Sequence, residues 1–368
     1  MKAYVYTDKS LERYAGRFVW LSINTEQAKN AAFLEKYPIP ALPTLLVLDA
    51  KTEKVTLRYV GGATVTQLRK LLDDSLKSGR TDADTLLSEA DRLASAGKTA
   101  EAAAKYEAAI KAAPTKWARF GRASESLLFA LSGEPERCSA MAMQLYPRVK
   151  GTVSGANVAA IGLGCATGLK DATVVTTLEQ ATRAALDDPK VDISADDRSG
   201  LYIALIGARE YAKDDAGTKA LKEEWVRFLE ASATSAKSAE QRAVYDSHRL
   251  SAYLDLGTPE KALPMLEQSE RDFPDDYNPP ARLAAALRAL KRYDEALAAS
   301  DRAMARVYGP RKLTVMSTRA DIYADKGDKA GARKTLTEAI AYAKALPPHQ
   351  RSERRTAQLQ KKLEGLAE

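Results

Sequence analysis

The sequence predicts a mainly α-helical protein, in which a long array of paired helices, a helical solenoid, follows a short α/β segment. Alanine and leucine are abundant and charged residues make up 29% of the chain. This composition favours packed helices, because alanine loses no side-chain entropy in a helix. Strand-like runs occur only before about residue 80. Beyond residue 82, alanine recurs at helical spacing, with glycine or Asp-Lys turns about every dozen residues.

Residues 1–79 alternate between strand and helix signals. The runs Phe18–Ile23 and Thr44–Leu48 are almost wholly apolar, which predicts strands buried on both faces. Val55–Val60 alternates apolar and polar residues and predicts a strand with one wetter face. Gln27–Tyr37 and Thr66–Leu76 have apolar residues at helical spacing, so each predicts a helix.

This order of elements resembles the rear three-quarters of a thioredoxin domain, and Phe33–Leu48 is its most specific stretch. The resemblance implies that Pro43 follows a cis peptide bond, which is uncommon outside such conserved positions. It also implies that Leu42, Pro43 and Thr44 form a loop that offers backbone hydrogen bonds to a substrate polypeptide. We therefore take these three residues as a candidate substrate-binding site.

The front of the segment departs from the thioredoxin pattern. The family places a strand and a Cys-x-x-Cys motif just ahead of the helix that would correspond to Met1–Tyr14, and this sequence begins about three residues after the second cysteine. That strand is central in the family's sheet, so the resemblance implies a gap or an unpaired edge here. If a longer natural protein supplies the motif, we expect a thiol–disulfide oxidoreductase.

Thiol–disulfide exchange requires a thiolate and a second, resolving thiol. Residues 1–79 contain neither, because Cys138 and Cys165 are the only cysteines of the chain. Both stand in alanine-like helical surroundings, and we expect free buried thiols rather than a disulfide or redox pair. The sequence as printed therefore predicts a redox-inactive front segment.

Residues 82–368 contain a repeated unit. Three consecutive units match at spacings of 34 and 36 residues. The matched positions are Ala262, Leu266 and Pro274; Ala296, Ser300 and Tyr308; and Ala332, Leu336 and Ala339. Upstream, Gly97–Ala102 with Tyr106 and Ala109 gives the best single match. The period resembles the tetratricopeptide repeat, in which small residues let two helices cross closely and a large one fills the neighbouring groove.

The middle of the array is less regular. Leu127–Tyr146, Asn157–Leu186 and Arg198–Leu229 predict diverged helix pairs, and Gly162 within the second of them indicates close helix packing. The last predicted helix, Gln350–Leu366, carries a polar outer face, as the cap of a solenoid requires.

The tetratricopeptide resemblance implies a concave groove, lined by the first helix of each unit, that holds a protein or peptide partner. From the repeat register the groove-facing candidates are Asp84, Asp91, Ser251, Asn278, Arg282, Arg288, Asp321 and Asp325. Each of them can equally be a solvated surface residue. The paired Lys and Asn residues by which the family's chaperone-tail binders grip a C-terminal carboxylate have no match, so the partner stays open.

Charge and motif content argue against other functions. The net charge is +7, without a block of five like charges or a readout module, so we expect no nucleic-acid partner. Two histidines and two cysteines far apart predict no metal or other cofactor. The sequence contains neither Gly-x-Ser-x-Gly nor a phosphate-binding glycine loop, which argues against a hydrolase or transferase.

No apolar run approaches the roughly 20 residues needed to cross a bilayer. The N-terminus as printed carries no signal peptide, which predicts a cytoplasmic protein. If an upstream signal segment exists, we expect a periplasmic or secreted protein instead.

Overall fold

The computed structural model describes residues 1–39, 41–77, 81–169 and 171–366. These residues divide into two compact units. Unit 1 comprises Met1–Val19 and Tyr37–Trp225, and unit 2 comprises Trp20–Lys36 and Val226–Glu368. The boundary predicted between residues 1–79 and 82–368 separates two types of fold rather than two compact units. It lies partly outside the described residues and stays a prediction.

The described residues are mainly helical. The strands are β1 (Thr44–Leu48) and β2 (Val55–Val60). The α-helices are α1 (Ala31–Lys36), α2 (Val65–Leu76), α3 (Asp82–Ser95), α4 (Thr99–Ala112), α5 (Phe120–Ala130), α6 (Pro135–Val149), α7 (Val153–Ala166), α8 (Ala172–Asp187), α9 (Ala195–Tyr211), α10 (Asp215–Thr234), α11 (Ala239–Ala243), α12 (Asp246–Asp255), α13 (Ala262–Asp272), α14 (Asn278–Ala289), α15 (Tyr293–Arg306), α16 (Lys312–Asp325), α17 (Lys329–Ala345) and α18 (Glu353–Gly365). Short 3₁₀ helices span Lys9–Tyr14, Ala28–Asn30, Pro259–Lys261, Gly309–Arg311 and Pro348–Gln350.

The strands β1 and β2 pair antiparallel, with Thr44 opposite Val60, and both predicted strands are confirmed. Helix α2 begins after Thr64, whose side chain accepts the N–H of Gln67 while the Gln67 side chain accepts the N–H of Thr64. This capping box satisfies backbone donors at the helix start and fixes where the predicted helix begins.

The predicted strand at Phe18–Ile23 is wrong. The segment is irregular, and Val19 and Leu21 expose 87% and 70% of their surface. An apolar run becomes a strand only where a neighbouring strand satisfies its backbone, and no described strand pairs with this one. The helix that the resemblance implied at Met1–Tyr14 is likewise reduced to a 3₁₀ helix at Lys9–Tyr14.

The free edge of β2 is satisfied by helices of unit 1. The Arg58 N–H donates to Asp91 Oδ2 at 3.1 Å, and Arg122 Nη1 donates to the Arg58 carbonyl at 3.2 Å. Side chains of α3 and α5 therefore take the place of a third strand. Strand β1, by contrast, has only partly buried side chains, as expected of the sheet's other edge.

Consecutive helices pack as pairs, including α3 with α4, α14 with α15 and α16 with α17. The small residues predicted at the crossing points, on α4, α13, α15 and α17, are fully buried, and the larger filling residues on α4, α13 and α17 expose 2% or less. The small residues are Ala102, Ala262, Ala296 and Ala332; the larger ones are Tyr106, Leu266 and Leu336. The repeat register read from the sequence is therefore confirmed.

The two cysteines form a disulfide, so the expectation of free thiols is wrong. Cys138 on α6 and Cys165 on α7 have Cα atoms 6.0 Å apart, within bridging range. A Cβ added to Gly162 would lie 2.3 Å from the Cβ of Ala142, so the two helices pack closely at this glycine, as predicted. This close approach brings the cysteines together.

Helix α18 starts at Glu353 rather than at the predicted Gln350, and it buries Leu359 against the end of the array. Within the described ranges, no helix is both long and apolar enough to span a membrane.

Candidate functional site

In unit 1, the candidates Asp84 and Asp91 lie inside the helix packing rather than on an open groove. Asp91 is fully buried, accepts hydrogen bonds from Tyr106 Oη at 2.8 Å and the Arg58 N–H, and pairs with Arg122 Nη1 at 2.6 Å. Burial of a carboxylate is tolerated only with such partners. Asp91 therefore holds β2, α4 and α5 together.

Asp84 is satisfied in the same way. It accepts a hydrogen bond from Trp117 Nε1 at 2.7 Å, pairs with Arg119, and caps α3 through Thr81. Burial by itself would raise the pKa of this carboxyl, but the hydrogen bonds from Thr81, Arg119 and Trp117 lower it well below its usual range. The ionised carboxylate of Asp84 therefore stabilises the fold through these partners.

In unit 2, three candidates form a network of their own. Arg288 on α14 bonds Asp325 Oδ2 at 2.7 Å and Asp321 Oδ2 at 3.4 Å, both on α16. Lys362 of α18 reaches the same Asp321 at 2.7 Å. These ion pairs tie the first helices of successive repeats to the terminal helix. Ser251 lies apart from them, exposed on α12.

The remaining two candidates, Asn278 and Arg282 on α14, line one cleft of about 230 Å³ in unit 2. Its other lining residues are Leu250, Tyr277, Ala281, Ala284, Ala285, Ser300, Arg311, Thr314, Val315 and Thr318. They come mainly from α14 and α16, the first helices of two successive repeats. None of the described residues that line the cleft is acidic.

Arg282 is the central charge of this cleft. It makes no ion pair or hydrogen bond with any described residue, although it is partly buried. Burial lowers the pKa of its guanidinium, and the attraction of Asp246 opposes that effect only in part. A cation held in this state favours any ligand that brings an anionic oxygen.

Asp246, whose negative charge acts on Arg282 together with that of Asp276, has a hydrogen bond of its own. Asp246 exposes 1% of its surface and accepts a hydrogen bond from Ser269 Oγ at 2.6 Å, while its second oxygen has no partner among the described residues. Burial raises the pKa of this carboxyl. Ser300, 1% exposed and on the cleft wall, also has a hydroxyl without a described partner. The cleft thus offers unused hydrogen-bonding capacity.

Two further arginines extend the positive region. Arg311 lines the cleft, and Arg355 of α18 donates to Thr314 Oγ1, also on the cleft wall, at 2.6 Å. The pKa of Arg355 is lowered by burial and by the charge of Arg311. The carboxylate that pairs with Arg311 comes from Glu26, with Nε and Oε1 2.6 Å apart.

The sequence identified two of the cleft's lining residues. Asn278 and Arg282 follow from the repeat register. Arg311 was missed because it lies in the turn Gly309–Arg311, which accompanies the longer, 36-residue spacing between Ala296 and Ala332. That excess over 34 residues was the available signal, since an insertion between repeats changes which residues reach the groove.

The loop suggested by the thioredoxin resemblance lies in unit 1. The Leu42–Pro43 bond is cis, as the resemblance implied, and Leu42 exposes 59% of its surface. Thr44 Oγ1 donates to the Ala41 carbonyl at 2.7 Å, and the Gly61 N–H donates to the Pro43 carbonyl. The loop is thus tied to the turn after β2, while Leu42 faces outward.

Comparisons with known proteins place a repeat family in unit 2. Residues 277–345 match the family model described as tetratricopeptide repeat. This stretch contains α14 to α17 and most of the cleft. The chain has no match among curated proteins.

Several solved structures are similar to the chain. A tetratricopeptide repeat protein from Parabacteroides merdae has 10% identity, covering 78% of this chain and 99% of its own, with a TM-score of 0.49. The TPR2AB domain–pHSP90 complex of yeast Sti1 has 18% identity, covering 77% and 98%, with a TM-score of 0.29. The APC/C hetero-tetramer Cut9–Hcn1 has 16% identity, covering 82% and 59%, with a TM-score of 0.28.

Proposed function

We propose that this chain is a protein-binding scaffold whose unit 2 cleft binds an acidic segment of a partner polypeptide. The observation that carries the proposal is the partly buried Arg282 guanidinium, which has neither an ion pair nor a hydrogen bond with any described residue. A partly desolvated cation that no carboxylate bonds directly costs free energy, and the more distant charges of Asp246 and Asp276 offset that cost only in part. A ligand carboxylate removes that cost through charge-assisted hydrogen bonds, which are among the strongest in proteins.

The size and lining of the cleft support an anchor for one or two side chains. About 230 Å³ is below the range of pockets that enclose a drug-sized molecule. Asn278, Ser300 and Thr318 supply polar groups, while Ala281 and Ala285 supply an apolar wall. A Glu or Asp side chain, with its methylene groups on the alanines and its carboxylate on Arg282, matches this chemistry.

The match to the tetratricopeptide repeat supports the scaffold role. In the resemblance drawn from the sequence, the first helix of each unit lines the partner groove. Asn278 and Arg282 lie on α14, and Thr314 and Thr318 lie on α16, so all four are on first helices. A bound segment would therefore run across successive repeats.

The proposal is tested with fluorescein-labelled hexaglutamate as the probe and labelled hexaglutamine as its neutral counterpart. Fluorescence polarisation should show binding of the acidic peptide alone. Arg282→Gln should weaken it by about tenfold or more, because truncating one partner of a desolvated charge pair costs about 2–5 kcal/mol.

The matched control is Arg333→Gln, which removes the same charge from an exposed position on α17, outside the cleft. We expect less than about a twofold change from this variant. Equal losses in the two variants would mean that the probe senses only the net charge of +7. Binding of hexaglutamine as tightly as hexaglutamate would also contradict the proposal.

We propose a second, polypeptide-docking role for residues 1–79 as a thioredoxin-like module without its own redox activity. It is supported by the sequence resemblance, the antiparallel pairing of β1 with β2, and the exposure of Leu42 beside Pro43. In this proposal Leu42, Pro43 and Thr44 contact the polypeptide through their backbone, and residues 82–368 form the array that follows.

The chain should not reduce insulin in the presence of dithiothreitol at a rate above that of dithiothreitol alone. The reason is that Cys138 and Cys165 are buried and bonded to each other on α6 and α7. Turbidity of the released insulin B chain is the measurement. Faster precipitation that disappears in Cys138→Ala would assign an oxidoreductase function instead.

A further inference from the structure

Residues Trp20–Lys36 pack within unit 2, although the residues before and after them in the chain belong to unit 1. The segment contains the 3₁₀ helix Ala28–Asn30 and the short helix α1. Its contacts centre on Glu26 and fall on the rim of the unit 2 cleft. The chain thus places part of itself where the proposed ligand would lie.

Polar contacts of Glu26 and Asn24 join the segment to this rim. Glu26 Oε1 pairs with Arg311 Nε at 2.6 Å, and Gln350 Nε2 donates to the Glu26 carbonyl at 3.1 Å. Asn24 Nδ2 donates to Tyr308 Oη at 2.9 Å. The backbone also approaches closely, because a Cβ added to Gly309 would lie 2.6 Å from the Glu26 carbonyl oxygen.

The Glu26 carboxylate acts as the counter-charge of the cleft. Its hydrogen bond raises the pKa of Arg311, and the side chain of Glu26 is only 17% exposed. Burial, followed by the negative charge of Glu26, raises the pKa of the cleft residue Tyr277 to about 12. A carboxylate of the chain itself is therefore already bound at one of the cleft's two lining arginines.

The segment buries little of its surface. None of the residues from Trp20 to Lys36 is buried, and Trp20 and Leu21 expose 47% and 70% of their surface. Hydrophobic stabilisation scales with the apolar area removed from water, so little of it holds this segment in place. Partly exposed ion pairs contribute modestly as well. Little hydrophobic burial therefore opposes release of the segment.

We infer that Trp20–Lys36 is an intramolecular ligand of the unit 2 cleft and that an acidic partner segment displaces it from Arg311. This inference rests on the proposed binding function and adds a regulatory element to it. The partner gains Arg282 in addition to Arg311, whereas the chain's own segment has its ion pair with Arg311. The partner binds with lower apparent affinity while the segment is in place, because the segment must first be released.

The experiment compares the unmodified chain with two variants, each of which removes one negative charge from the segment. Glu26→Gln removes the carboxylate bound to Arg311. Glu35→Gln removes an exposed carboxylate of the same segment that makes no ion pair with any described residue. In polarisation titrations with labelled hexaglutamate, Glu26→Gln should bind about 3- to 10-fold more tightly than the unmodified chain. Glu35→Gln should bind like the unmodified chain.

Hydrogen–deuterium exchange of the unmodified chain gives an independent readout. Adding hexaglutamate should increase exchange in peptides covering residues 20–36, because the segment leaves the rim, and should not increase it in α14 or α16. Equal affinities of Glu26→Gln and Glu35→Gln, or unchanged exchange at residues 20–36 under saturating probe, would overturn the inference.

The outcomes separate the two proposals. Binding that is lost in Arg282→Gln but indifferent to Glu26→Gln leaves the binding function standing and removes the intramolecular ligand. No binding of hexaglutamate to any variant, Glu26→Gln included, removes both.

Discussion

Units 1 and 2 each contain a charged cleft, and the two clefts differ in whether acidic residues line them. The cleft in unit 1, of about 300 Å³, is lined by Arg69, Lys70 and Lys77 together with Asp73 and Asp74. Lys77 Nζ lies 2.9 Å from Asp74 Oδ1. The cleft in unit 2 has two arginines and no acid among its described lining residues. Acidic residues beside the basic ones are consistent with a structural role, and a lining without acids indicates a binding site.

The same contrast exists at one position of the repeat. Asp84 and Asn278 each lie 18 residues before the buried alanine of their unit, Ala102 and Ala296. Asp84 is enclosed by Trp117 and by other partners in unit 1, whereas Asn278 lines the open cleft. The repeat register therefore indicates which residues lie on the groove side. Whether such a residue can bind a ligand depends on whether neighbouring residues already bond its side chain.

The largest expected effect tests the structural half of this comparison. Asp91→Ala leaves the Arg122 guanidinium and Tyr106 hydroxyl without their buried partner, and should lower the free energy of unfolding by about 3–5 kcal/mol. Arg282→Ala should lower it by less than about 1 kcal/mol, because that side chain has no described partner to lose.

Urea titration followed by far-ultraviolet circular dichroism suits this test, since Asp91 and Arg282 lie in different units and helices of both contribute to the signal. Similar destabilisation by both substitutions would show that Arg282 is a structural residue. The distinction between the two clefts would then be lost.

The disulfide gives the next largest effect and acts on unit 1 alone. Cys138 and Cys165 are 27 residues apart, and closing a loop of that length stabilises by about 3.5 kcal/mol in the chain-entropy treatment. Reduction, or the double substitution to alanine, should shift the tryptophan-monitored transition of unit 1 to lower urea and leave the unit 2 transition unchanged.

Thiol titration of the unreduced, denatured chain checks the premise of that prediction. It should find no free thiol. Two free thiols per chain would restore the sequence-based expectation and contradict the bridge between α6 and α7.

Much of the fold followed from the sequence because it depends on local periodicity. The buried alanines at 102, 262, 296 and 332 and the strands β1 and β2 were predicted at their observed positions. The strand predicted at Phe18–Ile23 failed because strand formation depends on a partner, and composition alone does not supply one. The pairing of the cysteines depended on how closely α6 and α7 approach, which is a tertiary property.

The candidate site was predictable to the extent that it lies within one repeat. Arg282 follows from register, whereas Glu26 reaches Arg311 across 285 residues of sequence. No periodicity connects such distant positions. That Arg282 has no ion pair could not be predicted either. It depends on tertiary contacts, which decide whether a nearby acid bonds Arg282 or another residue.

Two buried serines of unit 2 provide a smaller test. Ser269→Ala removes the hydrogen bond to the buried Asp246 and should cost about 1–3 kcal/mol of unfolding free energy. Ser300→Ala removes a hydroxyl without a described partner and should change stability by less than about 0.5 kcal/mol while weakening hexaglutamate binding several-fold. Loss of stability without loss of binding in Ser300→Ala would place that hydroxyl in the fold rather than in the site.

The smallest expected effect is a pH dependence confined to unit 1. The pKa of Asp84 is lowered in the folded chain, so its stabilisation is present above its ordinary pKa of about 4 and is lost as the pH falls further. The melting temperature of the unmodified chain should therefore exceed that of Asp84→Asn at pH 7, and the difference should shrink by about 2–4 °C at pH 3. Tryptophan-monitored melting measures it. A difference that persists or grows in acid would mean that the charge of Asp84 contributes nothing, and that its hydrogen bonds alone account for its place beside Trp117.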